Sequence, residues 1–279
     1  MGMIMSIIEK LINLDRRIIY LIMGFAVIVP FLIPMRLPIY VSPPVQSVYD
    51  HIDNLPEGSV VLMGFNFSPS TMPELLPMSL AILRHCYSRK LKVIGMTFNS
   101  RITNVADEAM RQVAEEYGYK ESEDYAYLGY KRDVVPVMLG LGEDISIAFP
   151  TDYVKTPISQ LPMMKNIRNY SDIALVMDFG SANTPEAWVA YAGARYHQTI
   201  AVGCTGVMVS GLYPYLKTGQ LTGLIGGLKG AAEYEKLVEK PGKAILGMKA
   251  QSIAHIAIIL LVLIGNASYL ISRRRIEGK

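Results

Sequence analysis

Ile253–Ile271 reads IAHIAIILLVLIGNASYLI, and Arg273, Arg274 and Arg275 follow it closely. The stretch holds no Asp, Glu, Lys or Arg over 19 residues. At about 1.5 Å rise per residue it forms a helix of roughly 28 Å, close to the hydrocarbon thickness of a bilayer. It reads as a transmembrane helix with an arginine stop. That reading sets the rest of the chain, because the central part must then stand on one side of a membrane.

The N-terminal end supplies a second apolar run. Ile18–Met35 (IIYLIMGFAVIVPFLIPM) is flanked by Arg16, Arg17 and Arg36. It reads as an uncleaved signal anchor over residues 18–35, with Pro30 and Pro34 kinking or ending it. Before it, residues 1–17 carry Ile4, Ile7, Ile8, Leu11 and Ile12 at helical spacing, the pattern of an amphipathic helix lying in the membrane interface. Residues 36–58 read as a stiff linker. Lys10, Arg16 and Arg17 precede the first run, and the basic tail 272–279 follows the second. The positive-inside rule then places both termini in the cytoplasm and the central part outside.

From Ser59 the pattern changes. Short β-rich runs at 59–67, 92–98, 125–130, 134–141, 172–179, 199–207 and 221–225 alternate with helical segments at 73–90, 103–117, 184–196, 209–216 and 231–238. Such alternation predicts a mostly parallel, Rossmann-like sheet flanked by helices. The strands lack in-out alternation, as expected where both faces are buried. Gly118 suits a helix C-cap, and Asn183-Thr184-Pro185-Glu186 a helix start. Lys155–Tyr170 reads as a surface excursion. The expected layout is therefore an extracytoplasmic α/β domain over 59–238, a linker over 239–252 and the span over 253–271.

Composition excludes several classes. Net charge is +3 and its excess sits in the tails, with no basic patch interleaved with aromatics, so nucleic acid is not an expected partner. Four scattered His and two Cys give no metal-ligand spacing. Cys86 and Cys204 read as buried free thiols ahead of an extracytoplasmic disulfide. No G-x-G-x-x-G follows the first strand, and no Walker loop or G-x-S-x-G elbow occurs, so no cofactor is expected.

In open α/β sheets, ligands bind beyond the carboxyl ends of the strands. Those ends carry Asn66, Ser68, Ser70, Thr71, Asn99, Arg101, Asp178, Ser181 and Thr205. This hydroxyl- and amide-rich rim suits a small polar ligand. Turn and cap roles account for Ser68, Ser70, Thr71 and Asn99 equally simply. Asp178, ending a buried strand, is the sharpest candidate for chemistry. Glu143 and Asp144 read as a solvated turn before an acid/base pair. The glycine-rich turn at Gly226-Gly227 suits either an anion or close packing.

Gly265, Asn266 and Ser268 form a small, polar cluster within the second apolar run, the composition of a helix-association face. The expected role is a scaffold or binding subunit of a homo-oligomer or of a complex with other membrane subunits. A membrane-bound enzyme acting on a small polar or lipid-linked substrate is the alternative.

Overall fold

The structure, a computed structural model, describes residues 15–33 and 38–277. It divides into two compact units: Ile39–Ile245, and the flanking segments on either side of it.

The unit Ile39–Ile245 is an α/β domain built on six parallel strands: β1 (Val60–Asn66), β2 (Lys92–Thr97), β3 (Tyr125–Tyr130), β4 (Leu175–Gly180), β5 (Ile200–Cys204) and β6 (Gly223–Gly226). Their order is β3-β2-β1-β4-β5-β6. This is the doubly wound order, and the chain changes direction across the sheet between β1 and β4. Strands β1, β4 and β5 are buried along their whole length, which explains their continuous apolar runs.

The helices are α2 (Pro43–Asp53), α3 (Met72–Ser88), α4 (Thr103–Tyr117), α5 (Val134–Glu143), α6 (Ile145–Ala148), α7 (Thr184–Trp188), α8 (Ala194–Tyr196), α9 (Val209–Lys217) and α10 (Gly227–Leu237). Helices α7 and α8 are joined by a π turn, Val189–Gly193, so the helix expected over 184–196 is one run. Helix α4 ends on Gly118 at φ +71°, the left-handed conformation that glycine adopts without a Cβ penalty.

Several expectations change. Val134–Leu141 is not a strand but most of α5, burying Val137, Met138 and Leu141. Pro136 falls in its first turn, where a missing N–H costs nothing. Glu143 and Asp144 therefore lie at a helix end rather than a strand end, and Asp144 caps α6 by accepting from Ser146 N at 2.9 Å. The linker expected over 36–58 contains α2, whose Pro43-Pro44 start suits a first turn and whose Val45, Val48 and Ile52 are buried. Residues 155–170 are no surface excursion: Ile158, Leu161, Met163, Met164 and Ile167 join the core around Trp188.

Both sheet edges are covered, which removes them as templates for strand pairing. Tyr153 N donates to Tyr127 O at 2.9 Å on the β3 edge. On the β6 side, Ser47 Oγ of α2 donates to Thr222 O at 2.5 Å.

Helix α10 holds both ends of the domain through two buried glutamates. Glu233, 1% exposed, accepts from Ser42 N at 2.9 Å and Ser42 Oγ at 2.6 Å, and pairs with Lys229. Glu235, 2% exposed, accepts from Gly242 N, Ala244 N and Ile245 N, each at 2.9 Å. These last donors open α11 (Lys243–Glu277), so Glu235 is the N-terminal cap of the helix that leaves the domain. The linker expected over 239–252 is thus mostly helical. Because α10 runs back along the sheet from the end of β6, the glutamates lie toward the amino ends of the strands, opposite the carboxyl rim.

In the second unit, α1 (Arg16–Leu32) is an apolar 17-residue helix capped by Asp15, which accepts from Arg17 N at 2.9 Å. Most of the interfacial helix expected over 1–17, and Pro34–Leu37 of the first apolar run, lie outside the described residues. The stretch Lys243–Ile271 of α11 is long and apolar enough to cross a membrane.

Glu235→Ala removes the acceptor for three backbone N–H groups. We expect a loss of about 2–3 kcal/mol of domain stability, by analogy with other charge-assisted bonds. Chemical denaturation checks the loss, and faster tryptic cleavage at Lys243 reports the freed helix end.

Candidate functional site

The chemistry-bearing residues of the rim meet where the sheet reverses direction. In the β1–β4 register Gly64 lies opposite Asp178 and Asn66 opposite Gly180. Asp178 is fully buried. Its Oδ1 accepts from Asn66 Nδ2 at 2.6 Å, and its Oδ2 accepts from Thr184 Oγ1 at 2.9 Å. Asn66 Oδ1 accepts in turn from Phe98 N at 2.7 Å, so one amide ties β1 to both neighbouring strands. The indole N–H of Trp188 faces the same carboxylate but does not reach hydrogen-bond geometry, and is left without a partner.

Gly64 and Gly180 make this knot possible. A Cβ at Gly64 would lie 2.6 Å from Asn66 Nδ2 and 2.8 Å from Asp178 Oδ1. One at Gly180 would lie 2.7 Å from Asp178 Oδ2.

Burial pushes the Asp178 carboxyl up to about 7. The hydrogen bonds from Asn66 and Thr184, and the indole of Trp188, pull the other way, while the nearby Glu186 charge raises it further. Glu186 Oε2 is itself buried without a partner.

The expected rim residues divide into four groups. Asn66, Asp178 and Ser181 come together: Ser181 N and Oγ donate to Asn66 O at 3.3 and 3.4 Å, stitching the loop after β4 to the end of β1. Ser68, Ser70 and Thr71 form their own turn, with Ser68 Oγ 2.8 Å from Ser70 Oγ and Ser68 N donating to Thr71 Oγ1 at 3.0 Å. Asn99 bridges two loops, donating from Nδ2 to Phe67 O at 2.8 Å and accepting from Arg101 N at 3.1 Å. Arg101 and Thr205 stand apart: the arginine is exposed and makes no ion pair among the described residues, and the threonine is buried behind β5.

Thr184, Trp188, Gly64 and Gly180 belong to the knot and were not singled out by sequence reasoning. Thr184-Pro185 read only as a helix start, yet the Thr184 hydroxyl turns inward to Asp178. A glycine inside a fully apolar strand was the available signal for Gly64.

The Gly226-Gly227 turn is filled by the chain itself. Glu74 Oε2 accepts from Gly206 N at 2.9 Å, and a Cβ at Gly227 would lie 3.0 Å from the same oxygen. A carboxylate of α3 thus occupies the position an anion would take. Both cysteines are free and buried, and burial raises the Cys204 thiol to about 12. Among the described residues no group of His, Cys, Asp and Glu could hold a metal ion. In the flanking unit Asn266 is exposed on α11, nothing lies near Gly265, and Ser268 is buried.

No family model, curated protein or solved structure matches this chain.

Two predictions follow from the knot's geometry. Asp178 has a raised folded-state value, so its contribution to stability is intact below about pH 4 and is lost as pH rises through about 7. Thermal melting of Asp178→Asn should therefore fall less steeply than wild type between those limits. The difference approaches about 4 kcal/mol at the alkaline end. Gly64→Ala should destabilise by about 1–3 kcal/mol, because the methyl group displaces the Asn66 amide; urea titration at fixed pH measures it.

Proposed function

We propose that this chain is a membrane-anchored, extracytoplasmic α/β module that serves as a scaffold or binding subunit of a homo-oligomer or a larger membrane complex. The observation that carries the reading is the closed rim. The crevice where open α/β sheets take their ligands is bridged by Asn66–Asp178 and Ser181–Asn66, so its polar groups spend their bonding capacity on one another. The attachment of both domain ends to α10 supports it. A module whose entering and leaving segments are held on one helix suits two arms running to one membrane.

In this reading 18–35 and 253–271 are the two spans, 1–17 lies in the interface, and the basic tails hold both termini in the cytoplasm. Asn266 makes no hydrogen bond among the described residues, so a partner helix supplies one. Such a bond contributes about 0.6–2 kcal/mol within a bilayer.

A second reading, a membrane-bound enzyme acting on a small polar or lipid-linked substrate, draws on one specific feature. Asp178 with its raised proton affinity stands near Glu186, whose Oε2 lacks a partner, and perturbed carboxylates of this kind mark acid/base sites.

The mass of the complex in mild detergent tests the first reading. A discrete oligomer that dissociates in Asn266→Leu is the expected result, and a monomer in both proteins removes the scaffold role. Loss of a turnover in folded Asp178→Asn is what the enzyme reading requires instead. Protease added outside intact cells should cut the central domain; resistance there overturns the orientation.

A further inference from the structure

Helices α3 and α4 leave a groove between them that the core does not fill. Leu76 and Leu80 of α3, one turn apart, are only half-buried, and Val105 and Ala109 of α4 face the same space. The cavity they line measures about 420 Å³ and is mainly apolar. It adjoins a second cavity of about 300 Å³, with Leu80, Gln112 and Lys243 common to both. Lys243 is also the first residue of α11, the helix long and apolar enough to cross a membrane.

The charges around this groove are unequal in availability. Glu116 is held by Arg84 through two bonds of 2.7 Å. Glu108 pairs with Arg111. Glu235 is spent on three backbone N–H groups at the start of α11. Lys240 and Lys243 are exposed and make no ion pair among the described residues. An apolar trough thus ends at two uncommitted ammonium groups, beside the residue where the apolar helix begins.

We infer that the α3–α4 groove binds one anionic phospholipid, its acyl chain along Leu76, Leu80, Val105 and Ala109 and its phosphate against Lys243 and Lys240. The inference rests on the reading of α11 as a membrane span. Charge complementarity selects the headgroup, and the span supplies the lipid. Lys243–Ile271 covers 29 residues, roughly 43 Å of helix, or about the full bilayer with its headgroup layers, so Lys243 stands at headgroup level. A bound lipid would also cover apolar surface that α3 and α4 otherwise leave to water.

Photolabelling of the full chain in phosphatidylcholine nanodiscs tests this. The probe is phosphatidylglycerol carrying a photoreactive group on its acyl chain. We expect label on the peptides bearing Leu76–Leu80 and Val105–Ala109, in addition to Ile253–Ile271. Lys240→Gln and Lys243→Gln should each lower the groove label about fivefold relative to the label on the span. Both lysines are exposed, so these variants keep the fold. Groove label that is equal with a phosphatidylcholine probe, or insensitive to both lysines, overturns the proposal. So does a labelled span with an unlabelled groove, which leaves that face to a second copy of the chain. Absence of label from Ile253–Ile271 as well refutes the membrane reading itself, a result distinct from failure at the groove alone.

Discussion

A carboxylate taken out of water costs several kcal/mol unless donors surround it. Three buried carboxylates meet that demand here, and each joins parts of the chain that are far apart in sequence. Asp178 joins β4 to β1 through Asn66, and holds the start of α7 through Thr184. Glu233 holds the entry to the domain at Ser42, and Glu235 the exit at Ala244. Loss of any one leaves donors unpaired in the interior. The domain's connectivity is therefore under a stricter constraint than apolar packing alone imposes, because each bond has a fixed partner and direction.

The same constraint shapes the carboxyl rim. Doubly wound sheets leave a crevice where the strand order reverses, and a ligand usually supplies the missing hydrogen bonds. Here Asn66, Ser181 and Asn99 satisfy one another and the adjacent backbone, while Glu74 fills the position beside Gly206 and Gly227. What is left unsatisfied is small and specific: Glu186 Oε2 and the Trp188 indole N–H, both close to a carboxyl group that titrates near neutrality. The scaffold and enzyme readings differ over whether those two atoms are a tolerated cost or the remains of a working site.

Individual elements show how far local pattern reaches. The runs at 59–67, 92–98 and 172–179 are recognisable because strands buried on both faces need unbroken apolar sequence. Val134–Leu141 carries the same signature and forms a helix, since a run of eight apolar residues satisfies either geometry. Pro136 sits in a first turn, and Val137, Met138 and Leu141 find a core on one side only. Helix α2 was hidden by its own start: Pro43-Pro44 resembles a rigid spacer, although Val45, Val48 and Ile52 follow at helical spacing. Along α3, the apolar positions 75, 76, 80, 83 and 87 look alike. Packing buries Leu75, Leu83 and Tyr87 and leaves Leu76 and Leu80 to line a groove.

By itself the sequence determined the features that depend on neighbours within a few turns: the alternation of strands and helices, the stop at Gly118, and the apolar length of the C-terminal helix. Those follow from backbone sterics and from the period of hydrophobic residues. Tertiary structure alone decided which polar groups meet. Asn66 and Asp178 are 112 residues apart, and Ser42 and Glu233 are 191 apart. Nothing local distinguishes a buried, partnered carboxylate from a solvated one. That distinction depends on desolvation and donor geometry, which exist only once distant segments have packed.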